Sequence, residues 1–129
     1  MTHSPAPAQQ IHALLHTQCE TIKAQIGELE RLSGLLTGEA DDKPSLQALI
    51  HTAHRIAGTG GSFGFDAISQ KAFALETFAK QLLRKPQSAQ KDSVNMVRVL
   101  TRSLASAGAG LTPDQSRLRR RLKGGARLG

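Results

Sequence analysis

The chain has 129 residues, a net charge of +7, one cysteine, four phenylalanines and neither tryptophan nor tyrosine. That length allows one domain with a modest core, which aliphatic residues and phenylalanine must fill. No apolar run is long enough to span a bilayer, and the lone Cys19 excludes an intrachain disulfide and fits a reducing, cytoplasmic setting.

The opening "MTHSPAPAQQ" has neither a basic start nor an apolar segment, so it is not read as a secretory signal. Residues 1–8 contain Pro5 and Pro7 and are expected to be flexible. From Gln9 to about Leu36, Ile11, Leu14, Leu15, Ile22, Ile26, Leu29, Leu32 and Leu36 recur at three-four spacing. That is the mark of an amphipathic helix. Cys19 falls among these positions and is read as packing rather than chemistry. Gly38 breaks the pattern, with Asp42 or Lys43 just outside a second helix and Pro44 in its first turn.

The second helix is expected over Pro44 to about Gly61. Its core stripe is Leu46, Leu49, Ala53, Ile56 and Gly60. A neighbouring stripe holds Ile50, His51, His54, Gly58 and Gly61, offset by about 100°. "SFGF" makes a turn. The third helix is expected from about Phe65 to Arg84, stopping before Pro86. Its core stripe is Phe65, Ile68, Ala72, Leu75, Ala79 and Leu82, flanked by Ser69, Phe73, Glu76 and Lys80. A fourth runs from about Ser88 to Ala107 with Val94, Met96, Val97, Val99, Leu100 and Leu104, and Gly108 and Gly110 are expected to end it.

Four amphipathic helices with short connections predict an all-α, antiparallel four-helix bundle over residues 9–108. Residues 109–129 form a basic C-terminal tail or a short fifth helix, with Thr112 as cap and Pro113 in its first turn. The closing "GGARLG" is expected to be loose. Residues 111–129 hold six cations against Asp114 alone, a net +5, so the remaining chain is only +2. The arginines read as a phosphate-contacting arm for nucleic acid, as a solvated segment, or as an arm drawn to an acidic protein face. No aromatic residue interleaves them, which weighs against nucleic acid.

The stretch "AHRIAGTGGSFGFDA" raises the functional question. Gly58, Gly60, Gly61 and Gly64 crowd a helix end, and an interior glycine costs a helix up to about 1 kcal/mol against alanine. Gly60 lies on the core stripe and permits tight packing. Gly58 and Gly61 follow His54 along one face and would let another protein's backbone approach the ring, with Ile50 as an apolar anchor beside it. If the second and third helices fold back near Phe65, His54 lies eleven residues before that point and Glu76 eleven after. At about 1.5 Å per residue the two share one height. Glu76 would then accept a hydrogen bond from one ring nitrogen and leave the other lone pair outward, as a nucleophile.

"AHRIAGTGGSFGF", with "ALE" downstream, resembles the signature of histidine-containing phosphotransfer (HPt) domains, and "GSFGF" resembles the phosphotransfer domain of chemotaxis-type sensor kinases. The motif covers about 46–83, and the helix pattern about 9–107. The resemblance implies that His54 is phosphorylated, that Glu76 orients it, that Gly58 clears space for a receiver domain and that Gly64 closes the helix end. The family usually has lysine three residues after the histidine, and here that residue is Ala57. Lys80, one turn beyond Glu76, is the candidate phosphoryl stabiliser, while Arg55 points partly away. Ile50, His51, Arg55, Ala57, Gly58 and Gly61 make the expected partner surface.

The chain has no Gly-x-x-x-x-Gly-Lys loop and no acidic cluster to hold Mg²⁺, so it is expected to be a phosphocarrier rather than a kinase, without a cofactor of its own. Acceptor aspartate and Mg²⁺ would sit on the receiver. The expected protein is a cytoplasmic, monomeric carrier that exchanges phosphoryl groups with receivers or takes them from a hybrid or chemotaxis-type histidine kinase. The alternative is an HPt-like module that binds a receiver without transfer. His12 and His16 share a helix face but lack further metal ligands, Phe73 is expected to pack beneath the site, and Ser62 and Ser69 have no base beside them.

Overall fold

The computed structural model describes residues 6–85 and 87–120. Four α-helices follow in order: α1 (Pro7–Leu35), α2 (Lys43–Ser62), α3 (Asp66–Arg84) and α4 (Gln87–Ala109). Each packs on the two beside it in a closed ring, α1 against α4 completing it. The described residues contain no strand, and none of their helices is long and apolar enough to cross a membrane.

Local chemistry explains the boundaries. Helix α1 begins at Pro7, two residues before the expected start at Gln9, so residues 7 and 8 are helical rather than flexible, because Pro7 suits the first turn and Gln9 Oε1 accepts the Ala6 N–H at 3.2 Å. Its far end stops at Leu35, ahead of Gly38 in the left-handed region (φ 87°). Asp42 folds back on this corner. Its carboxylate accepts from the Thr37 N–H and hydroxyl and from the Gly38 N–H, at 2.6–3.0 Å. From α4, the Arg98 guanidinium donates to the Leu36 carbonyl at 2.7 Å, satisfying an orphan acceptor of the α1 end.

The α2–α3 turn is a Schellman motif. Gly64 adopts φ 78°, Phe65 N–H donates to Gly60 C=O at 2.7 Å, and Gly64 N–H donates to Gly61 C=O at 3.3 Å. The stripes Leu46–Leu49–Ala53–Ile56–Gly60 and Phe65–Ile68–Ala72–Leu75–Ala79–Leu82 are buried throughout. Gly60 lets the two helices close, since a Cβ there would stand 3.2 Å from the Ser69 backbone nitrogen. Cys19 is buried among the α1 core residues, and burial pushes its thiol up.

Four sequence expectations need correction. Leu14, Met96 and Val99 are exposed, so the apolar periodicity overstated the core faces of α1 and α4. Gly108 does not end α4 but lies inside it, where a Cβ would overlap the Ile26 side chain. Thr112 makes no side-chain capping bond. Phe73 is 62% exposed rather than packed beneath the site.

The basic segment starts as a strap. After α4, Leu111, Pro113 and Ser116 are buried, with a 3₁₀ turn over Pro113–Gln115 and helical residues at 117–120. Ser116 Oγ donates to Phe63 C=O at 2.6 Å, and Arg117 N–H donates to Gly64 C=O at 2.8 Å. The strap thus covers the α2–α3 turn. Residues 1–5, Pro86 and the closing "GGARLG" lie outside the described residues.

Candidate functional site

Helices α2 and α3 bring His54 and Glu76 together across twenty-two residues of chain, His54 Nδ1 standing 2.9 Å from Glu76 Oε2. The ring is open to solvent, its side chain 71% exposed, while that of Glu76 is 5% exposed. Lys80, one turn further along α3, puts Nζ 2.8 Å from the same Glu76 oxygen. Burial works to raise the Glu76 carboxyl. The hydrogen bonds and charges of Lys80 and His54 outweigh it and hold the group below the ordinary carboxylate range.

This decides the tautomer. An ionised carboxylate only accepts, so Nδ1 carries the hydrogen and donates it to Glu76. In the neutral ring the lone pair is then on Nε2, and the exposure of the ring leaves that nitrogen accessible. A carboxylate behind Nδ1 also stabilises positive charge developing on the ring when Nε2 bonds an electrophile. The arrangement suits an imidazole nucleophile that meets its substrate on another molecule.

The surroundings divide into two open depressions that share His54 and Gly58. One, between α2 and α3, is also lined by Ala57, Ser69, Gln70, Phe73, Glu76 and Lys80. Among the described residues Lys80 is the one lysine or arginine that lines it, and the small side chain of Ala57 puts no cation of α2 there. The other lies toward α1, with Thr21, Gln25, Arg55, Thr59, Ser62 and Phe63. Arg55, expected to point partly away, thus lines the histidine's α1 side.

The expected partner-surface residues separate. A Cβ on Gly58 would meet nothing within 4 Å, so internal packing gives no reason for that glycine. Gly61 differs, because a Cβ there would lie 3.3 Å from Ser69 Oγ, and part of its role is helix packing. Ser69 itself donates to the Ala57 carbonyl at 2.7 Å, tying α3 to α2 directly below the site. Ile50 is half-buried against the core and His51 is exposed; neither lines the two depressions around the ring. His12 lines a separate cavity with Ala8, Gln9 and Arg119.

Gln70 and Phe73 also stand beside the histidine, and sequence reasoning does not pick them out as surface. The signal was present: Phe73 shares its stripe with Glu76 and Lys80, the face turned toward His54. Glu76, expected at a flank, is buried, and the His54 and Lys80 side chains converge on one of its oxygens.

Comparison with known proteins agrees with this architecture. A family model described as Hpt domain matches residues 10–110, most of the chain. Searches of curated proteins and of solved structures return no match.

Proposed function

The chain belongs to the Hpt domain family, and from that premise we propose that His54 is the residue that takes up and passes on the phosphoryl group. Hpt domains act in histidine phosphotransfer within two-component signalling, as phosphocarrier modules and not as kinases, and their partners are receiver domains and kinases. The observation that carries the assignment to His54 is its Nδ1 hydrogen bond to a buried, ionised Glu76 on a ring otherwise open to solvent.

The Nε2 lone pair attacks phosphorus of an aspartyl phosphate on the receiver. The bond from phosphorus to the aspartate oxygen breaks, and its electron pair leaves on the carboxylate. The Nδ1 proton stays in place, and Glu76 offsets the positive charge of the phosphorylated ring. Delivery to a second receiver, or charging by a kinase, runs through the same nitrogen. Phosphoryl transfer needs positioning and charge rather than covalent machinery. Lys80 is the nearby cation that can turn toward the phosphoryl oxygens, and Gly58 gives the partner room. We assign Ile50, His51, Arg55, Ala57 and Gly61 to the surrounding contact surface. The chain needs no cofactor of its own in this scheme, with Mg²⁺ held by the receiver. We place the exchange in the cytoplasm, between a monomer and its receivers, with a hybrid or chemotaxis-type kinase as an upstream donor.

The test is incubation of the chain with phosphorylated receiver domains. Acid-labile, base-stable phosphate should appear on the wild type and not on His54→Gln. Receiver binding without any transfer would instead favour a docking module, the reading that Ala57 in place of lysine supports.

A further inference from the structure

We infer that the C-terminal strap is part of the partner-docking face, and that its arginines bind the carboxylate-rich surface around a receiver's phosphorylated aspartate. This rests on the reading of His54 as the phosphoryl site.

Positive charge is concentrated at the C-terminal end of the chain. The chain before residue 111 is nearly balanced, at +2, while residues 111–129 carry +5. The start of that run has a fixed place. Ser116 is fully buried, its hydroxyl donates to Phe63 C=O, and Arg117 N–H donates to Gly64 C=O. Leu111 and Pro113 are buried beside it. Arg117 and Arg120 are therefore held at the α2–α3 end of the bundle. Arg117 reaches Asp66 through Nε at 3.3 Å and keeps 41% of its side chain exposed, and Arg120 is exposed. Arg119 pairs with Asp114 at 3.4 Å and is more enclosed.

The strap also adjoins the surroundings of the histidine. The depression on the α1 side of His54 runs through Gly58, Thr59 and Ser62 to Phe63, the residue whose carbonyl the strap holds. Ser62 lies eight residues beyond His54, about 12 Å along the helix at 1.5 Å per residue. A standard protein interface covers roughly 800 Å² on each side, about 16 Å in radius if round. A partner centred on His54 and leaning over the open face of Gly58 reaches the strap. Arg55 lies on the same path. An aspartyl-phosphate site presents clustered negative charge, and cations at the rim of such an interface speed encounter and make it salt-dependent.

The test uses the full chain and a panel of purified receiver domains from the source organism, loaded with Mg²⁺ and beryllofluoride to mimic the aspartyl phosphate. Affinity is measured by titration at low and high salt for the wild type, Arg120→Glu and Arg117→Gln, with helicity checked by circular dichroism. Wild-type affinity should fall severalfold with salt. Arg120→Glu should bind roughly tenfold more weakly at low salt and converge with wild type at high salt, with Arg117→Gln intermediate. Equal affinity of folded variants and wild type, a salt-independent wild type, or no receiver binding would overturn the inference. So would duplex DNA binding that is lost in Arg120→Glu while receiver binding is unchanged, which assigns the arginines to nucleic acid. Salt-dependent receiver binding, weakened by Arg120→Glu, in a chain that accepts no phosphoryl group would remove the phosphotransfer reading and leave the strap assignment standing.

Discussion

Lys80 and His54 meet on the same oxygen of Glu76, Lys80 Nζ at 2.8 Å and His54 Nδ1 at 2.9 Å. One carboxylate thus sets the tautomer of the ring and keeps a cation within reach of it.

Replacing Glu76 with glutamine keeps the size and removes the charge. Transfer from a phosphorylated receiver should slow roughly tenfold to a hundredfold, the usual penalty for losing an orienting partner. The checks are rapid-quench phosphotransfer and the ¹⁵N shifts of the imidazole. The shifts should report a loss of the fixed Nδ1–H tautomer, which a purely structural role for Glu76 would not alter.

Acid should release the ring. The Glu76 carboxyl is held below its ordinary value, so the stability it contributes is complete above the unfolded-state value near 4.3 and disappears as pH falls through the lower folded value. Asp42 follows the same sign. Burial works to raise it, and hydrogen bonds from Thr37, Gly38 and Glu39 bring it below the ordinary range. Thermal melts from pH 7 to 3 should show stability falling below about pH 4, with a smaller fall in Asp42→Asn and Glu76→Gln.

Two glycines on α2 should respond in opposite ways. Gly58→Ala adds a methyl into open space and improves helix propensity, so urea unfolding should show a gain of about 0.5–1 kcal/mol. The same methyl narrows the approach to His54, so receiver docking should weaken, and Gly58→Leu should abolish it in a folded bundle. Gly60→Ala presses on the Ser69 backbone at 3.2 Å and should cost about 1–2 kcal/mol net.

Gly64→Ala strains a φ of +78° and drives its Cβ to within 2.9 Å of Ser116 Oγ. A loss of roughly 2 kcal/mol or more is expected. Hydrogen exchange at Arg117 N–H, which is held by the Gly64 carbonyl, should accelerate more than exchange in the middle of α2. Equal acceleration everywhere would mean that the strap is not a separate unit on the turn.

The sequence by itself determined the helices, the inner stripes of α2 and α3 and the pairing of His54 with Glu76. Those follow from local period and from the position of one turn, and a hairpin of two regular helices has a single register once Gly64 fixes its corner. Only the tertiary structure decided what depends on elements distant along the chain. Inside α4, Gly108 stands where Ile26 of α1 occupies the space a side chain would need. Phe73 is exposed at the edge of an open depression that it shares with Met96 and Leu100 of α4. The strap is ordered because Ser116 finds the Phe63 carbonyl fifty-three residues away. Periodicity shows which face of a helix is apolar. Which apolar residues become buried, and which polar ones find partners, depends on what the neighbouring helices leave uncovered.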